Sequence, residues 1–166
     1  KYGEICCKTK FLSSFTFKEK KNKKIFFKES FFKTGDVGYL DNDNYLYFIS
    51  RLKDIIIKSG VNIVPKKIED VILSDNLIKN CAVIGVKDEI FGETPLAICE
   101  LKKKNDKNIN IFENNLRKKL SRTLFPSEIV YTDTIKFLPS GKINKVFYKE
   151  KYKRFIFNKG KSELFV

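Results

Sequence analysis

The chain has 166 residues, with 34 Lys and Arg against 20 Asp and Glu, a net charge of +14, and no His, Met or Trp. That length suits one compact domain or a small domain with a piece of another, and 42% hydrophobic residues exclude wholesale disorder. Without histidine the chain cannot supply Ser-His-Asp or Cys-His catalysis or an imidazole-bound metal.

The chain starts at Lys1-Tyr2-Gly3-Glu4-Ile5 without an initiator Met and is expected to continue a longer polypeptide. Gly3 to Cys7 reads as a strand. After a basic run, Lys18 to Lys24, Val37–Leu40 and Tyr45–Ile49 predict a hairpin. Asp41-Asn42-Asp43-Asn44 is its turn, because Asn and Asp tolerate left-handed backbone and bond to their own amides. Arg51-Leu52-Lys53-Asp54 is a charged step between apolar segments. Ile55-Ile56-Ile57 and Ile63-Val64 suggest a short strand pair bent at Gly60. Pro65 can open a helix, where its missing N–H costs nothing, and Ile68, Val71 and Ile72 make its buried stripe.

Residues 81–86 and 95–101 are continuous apolar runs, as in strands covered on both faces. Ile109, Phe112, Leu116 and Leu120 mark a second helix. Ile129-Val130-Tyr131 is a third strand, Pro139-Ser140-Gly141 a loop, and residues 144–150 a last helix. From about 55 to 150 this order describes a small α+β layer domain: a three-stranded sheet flanked by helices, plus a β-hairpin. Residues 151–166 are read as a tail with no assigned element.

The basic excess comes almost entirely from Lys, with Arg only at 51, 117, 122 and 154. Lys, Asn, Ile and Phe share A/T-rich codons, so base composition accounts for it. A nucleic-acid groove favours Arg with interleaved aromatics, whereas these Lys runs (18–24, 102–107) lie in expected loops. A module for nucleic acid or an anionic membrane surface is thus the rival class, and no nucleic-acid partner is expected. Cys6, Cys7, Cys81 and Cys99 form no C-x-x-C pair, which argues against zinc and for a reducing compartment. No run approaches a membrane span.

Four short groups could carry chemistry. Asp36, in Thr34-Gly35-Asp36-Val37-Gly38-Tyr39, offers two carboxylate oxygens to a ribose diol, or simply forms a turn before a strand. Arg51 could meet ribose or phosphate, or pair with Asp54 or a Glu. In Lys58-Ser59-Gly60-Val61-Asn62-Ile63 the missing Cβ of Gly60 lets a ligand pass close to the backbone, or makes a tight turn. Pro139-Ser140-Gly141-Lys142 is no Walker A loop but aims one Lys from a flexible turn.

In order and spacing these groups, with Gly3-Glu4-Ile5, Ala82 to Glu89 and Gly92-Glu93, resemble the adenylate-forming acyl-CoA synthetase (AMP-binding) superfamily, in its acyl-CoA ligase branch. The match runs from about residue 3 to 150. The resemblance implies a C-terminal fragment of an acid–thiol ligase, which activates a carboxylic acid with ATP as acyl-AMP and passes it to coenzyme A. It implies a C-terminal lid at 55–150, terminal β-strands of the large N-terminal domain at 1–50, and a hinge at 51–54. By it, Asp36 and Arg51 bind the nucleotide, Lys53 is the hinge residue, Lys142 is the catalytic lysine, and Ser59, Gly60 and Asn62 line the coenzyme A path. ATP or AMP, coenzyme A and Mg2+ are the implied cofactors, with no metal ligand in this chain.

Its own upstream domain and a small carboxylic acid are the implied partners, and the cytoplasm the expected location. The phosphate loop and acyl pocket are missing from these residues, so the chain alone is expected to be inactive. A degenerate, truncated ligase copy is the remaining alternative. Departures from the family pattern are Thr9 where a Gly is usual, Ser14-Phe15 for Gly-Tyr, Lys136 and Leu138 before Pro139, and Ile57 where some aryl-CoA ligases place Lys.

Overall fold

A computed structural model describes residues 2–8, 26–27, 31–102, 106–153, 155–158 and 161–164. The basic run at 18–24, Thr9, Ser14-Phe15 and positions 103–105 lie outside the described residues. The chain divides into two compact units, Lys1–Lys53 and Asp54–Val166.

The first unit is a four-stranded sheet built on one long strand. β1 (Gly3–Cys7), β2 (Phe26–Phe27) and β4 (Leu46–Arg51) all pair antiparallel with β3 (Phe31–Leu40). The β3–β4 hairpin turns where the Asp/Asn cluster predicts. Asp41 Oδ1 accepts from the amides of Asp43 at 3.0 Å and Tyr45 at 2.9 Å, and Asn44 takes φ 64°. These local bonds replace the ladder bonds that the reversing backbone gives up. Gly38 is needed for a different reason. A Cβ there would sit 2.5 Å from the Tyr47 carbonyl and 2.9 Å from Ile5 Cδ1, so only a bare backbone lets these strands close up.

The second unit carries a seven-stranded sheet. β7 (Ile78–Asp88) and β8 (Gly92–Leu101) form its antiparallel centre. The other edge of β8 takes β9 (Glu128–Thr132), parallel, and meets β5 (Ile56–Lys58) at Lys58–Gly92. β5 and β6 (Val61–Ile63) are the expected hairpin. Its two-residue loop, Ser59-Gly60, has φ of 49° and 78°, the left-handed pair that matches strand twist in the tightest hairpins. The hairpin is therefore joined to the main sheet rather than standing beside it. The tail adds β10 (Phe155–Asn158), parallel to β7, and β11 (Lys161–Leu164), antiparallel to β10.

The unbroken apolar runs of β7 and β8 follow from burial on both faces. Cys81, Val83, Ala97 and Cys99 meet α1 (Pro65–Leu73) and α2 (Asp106–Lys119) through Ile68, Ile72, Phe112 and Leu116. Alternate residues Ile84, Val86, Leu96 and Ile98 pack on Ile135 and on Tyr148 of α3 (Lys145–Lys151). Strand side chains alternate between faces, so a strand between two helical layers cannot show a polar side.

Candidate functional site

In the first unit, pairing of β3 with β4 sets Asp36 directly opposite Arg51. Arg51 Nε lies 2.7 Å from Asp36 Oδ1. That oxygen is shielded from solvent, yet among the described residues it takes no hydrogen bond of good geometry, so the contact is one of charge alone. Arg51 is 55% exposed, and pairs this open contribute at most about 1 kcal/mol. The pair is a small part of what holds β3 to β4, whose backbone ladder runs from Asp36 to Leu40. A cleft of about 320 Å³ lies beside them, lined by Gly35, Arg51, Leu52 and Lys53.

The backbone before Asp36 is held by β1. Thr34 Oγ1 donates to the Ile5 carbonyl at 2.9 Å and accepts from the Asp36 amide at 3.0 Å. The Gly35 amide, at φ 73°, donates to Glu4 Oε1 at 3.3 Å. Gly3-Glu4-Ile5 and Thr34-Gly35-Asp36, some thirty residues apart in sequence, are thus one interlocked element. After Arg51 the chain enters a 3-10 turn, Leu52–Asp54, and the two units divide between its last two residues. Lys53 is exposed there. Asp54 does not pair with Arg51: its Oδ1 receives Lys149 Nζ at 2.7 Å.

In the second unit, Lys142 stands on a small hairpin loop. Phe137 bridges Ile143, the Leu138 amide donates to the Lys142 carbonyl at 2.7 Å, and Gly141 turns the chain at φ 78°. The loop therefore has a firm stem and an exposed tip. Lys142 is exposed and makes no ion pair among the described residues. Ser59, Gly60 and Asn62 lie exposed on the β5–β6 hairpin, where the Ser59 amide donates to the Phe91 carbonyl at 2.8 Å. Next to that turn, burial draws the Lys58 ammonium below its usual range, and the Phe91 ring lies 5.5 Å from Lys58 Nζ.

The structure thus brings Asp36 and Arg51 together, and groups Ser59, Gly60 and Asn62 on one hairpin. Lys142 belongs to the second unit and Asp36 and Arg51 to the first. Thiol chemistry is not supported by the buried pair: a hydrogen bond with Cys99, 3.9 Å away, and then burial push the Cys81 thiol up. Among the described residues no group of three or more Cys, Asp or Glu side chains is placed to hold a metal, and no helix is long and apolar enough to cross a membrane.

Residues 67–142 match the family model of the AMP-binding enzyme C-terminal domain. The chain is 41% identical over 112 residues to the 2-succinylbenzoate–CoA ligase of Lactococcus lactis, covering 68% of this chain and 24% of that protein. It is 33% identical over 150 residues to the long-chain-fatty-acid–CoA ligase FadD13 of Mycobacterium tuberculosis, covering 90% and 30%. Residues 67–142 belong to the AMP-binding enzyme C-terminal domain family. Among solved structures, the o-succinylbenzoate CoA synthetase of Bacillus subtilis, in complex with its acyl-adenylate intermediate, superposes with a TM-score of 0.70 at 29% identity, covering 90% of this chain and 30% of that one. The chain spans about a quarter to a third of the length of these relatives.

Two carboxylates of this AMP-binding C-terminal domain were not singled out from sequence, and both shape the Lys142 region. Glu69, buried on the inner face of α1, accepts the Val83 amide at 2.8 Å and Lys145 Nζ at 2.6 Å. Glu100, 2% exposed, accepts Lys79 Nζ at 2.7 Å, Asn80 Nδ2 at 2.9 Å and the Ile135 amide at 3.1 Å. Chiefly the Lys79 bond holds its carboxyl below the usual range. Each left a sequence signal: Glu69 interrupts the apolar stripe of α1, and Glu100 lies inside the apolar run of β8. A charge in such a place is kept only if it is paired.

Proposed function

We propose that the chain is the C-terminal part of an acid–thiol ligase. A carboxylate oxygen attacks the α-phosphorus of ATP, pyrophosphate leaves, and the acyl-AMP is then attacked by the thiol of coenzyme A with loss of AMP. Asp36 grips the ribose hydroxyls, Arg51 assists beside ribose and phosphate, and Lys142 balances charge at the carboxylate and α-phosphate during adenylation. Lys53 is the pivot, and Ser59, Gly60 and Asn62 line the path of the pantetheine arm. Mg2+ would be expected to accompany ATP and to screen its phosphate charge, and among the described residues no carboxylate cluster is placed to hold it. The phosphate loop and acyl pocket come from a large N-terminal domain, and the 166 residues alone are expected to form no acyl-adenylate.

The observation that carries this reading is the exposed ammonium of Lys142, in no ion pair among the described residues, set on a firm loop in one unit, with the Asp36–Arg51 pair in the other. A cation about 4 Å from a phosphate oxygen is worth on the order of 4 kcal/mol at an effective dielectric near 20. The same charge is of no use to thiol attack, so it is best carried by a unit that moves away between steps. In the enzyme that joins this chain to its large domain, Lys142→Ala is expected to slow acyl-adenylate formation about a hundredfold or more. It should leave thioester formation from supplied acyl-adenylate nearly intact. Equal loss in both steps would remove Lys142 from this role.

A further inference from the structure

α3 joins two places that the proposed function needs held in register. At its start, Asn144 caps the helix, accepting the Phe147 amide at 3.0 Å, while its own amide donates to the Lys136 carbonyl at 2.9 Å. One turn on, the Tyr148 hydroxyl accepts the Lys136 amide at 3.0 Å. Both polar groups of the Lys136 backbone, at the stem of the Lys142 loop, are thus bound by α3 or its cap. The next residue, Lys149, reaches Asp54 at 2.7 Å. Asp54 is the first residue of the second unit. Lys145 fixes the helix to buried Glu69.

We propose that α3 is a positioning strut, in which the Lys149–Asp54 pair ties the start of the moving unit to the stem of the Lys142 loop. Tyr148 and Lys149 are consecutive, so the anchor of the loop and the anchor of the pivot share less than half a helical turn. Asp54 cannot shift against the loop without breaking the pair or bending the helix. Rotation is thereby confined to Arg51, Leu52 and Lys53, and each swing returns the Lys142 ammonium to one place. Lys149 and Asp54 touch no reactant; they act through Lys142.

This inference rests on the role given to Lys142, and its test separates the two. In the complete enzyme, Lys149→Ala and Asp54→Ala are each expected to lower kcat for adenylation about tenfold, because small misplacements of a catalytic group are costly. KM for ATP and for the acid should stay within about twofold, and the double variant should be no worse than either single one. The charge-exchanged pair Asp54→Lys with Lys149→Asp should recover most of the rate. In a Lys142→Ala background, Lys149→Ala should cost nothing further, which a merely structural role would not produce. If Lys142→Ala itself adenylates normally, the parent reading fails. If Lys142→Ala is crippled but Lys149→Ala is silent, or keeps its full cost in that background, the strut alone is refuted. Should Lys149→Ala fold poorly, amide exchange over residues 52–58 in Asp54→Asn decides the matter: faster exchange there with β7 and β8 unchanged supports the strut, and unchanged exchange overturns it.

Discussion

Replacing Glu100 tests whether one buried carboxylate holds the root of the Lys142 loop. Its three bonds differ in weight. Lys79 is 58% exposed, so water can take over its ammonium, and this bond contributes at most about 1 kcal/mol. The Ile135 amide is buried and has Glu100 as its acceptor, and leaving such a donor unpaired costs about 1–3 kcal/mol. Glu100→Ala removes every bond and is expected to cost about 3 kcal/mol in all. Glu100→Gln keeps an acceptor for Ile135 and loses the charge, at about 1 kcal/mol. For a unit of this size 1 kcal/mol moves Tm by about 4 °C, so Glu100→Ala should melt roughly 10 °C early and Glu100→Gln about 4 °C early.

The pH dependence has a definite sign. The carboxyl is held below its ordinary value by the Lys79 bond first, helped by Asn80 and Ile135 against the opposing effect of burial. Its stabilisation is therefore present above the unfolded Glu value near about 4.3 and is lost as pH falls through the folded value. Urea unfolding of wild type and Glu100→Gln at neutral pH and down into the acid range should show a gap that closes in acid. A gap that persists below both values, or a Glu100→Gln protein as stable as wild type at pH 7, would refute the reasoning. Exchange of the Ile135 amide should accelerate most in Glu100→Ala.

Gly38→Ala places a Cβ 2.5 Å from the Tyr47 carbonyl, and backbone cannot step aside as a side chain can. It is expected to cost about 1–3 kcal/mol and to speed amide exchange in β3 and β4; unchanged protection there would show that the strands have slack. Lys53→Pro fixes φ at the proposed pivot and constrains Leu52 before it. It is expected to slow thioester formation about tenfold or more while adenylation changes little, measured by single-turnover assays of each step. Normal rates in both steps would move the pivot elsewhere.

Local order decided much of this protein, and sequence reported it. Alternation, the i, i+3, i+4 stripe of α1, the Asp41–Asn44 turn and the Ser59-Gly60 turn are set by residues within a few positions of one another. The order of motifs by which the chain resembles its family is likewise read directly along the sequence. β10 and β11 were not legible: the short apolar run of β10 has no period to distinguish it and depends on the β7 edge it pairs with, and the largely polar β11 depends in turn on β10. Partner choice was not legible either. That Arg51 meets Asp36 and not Asp54, that Glu4 receives Gly35, that Glu100 receives Ile135, and that Lys149 reaches Asp54 are decided by register and helix packing across 15 to 95 positions. A charged side chain carries no address for its partner. Only the folded backbone, by bringing one oppositely charged or polar group within hydrogen-bond distance, selects it.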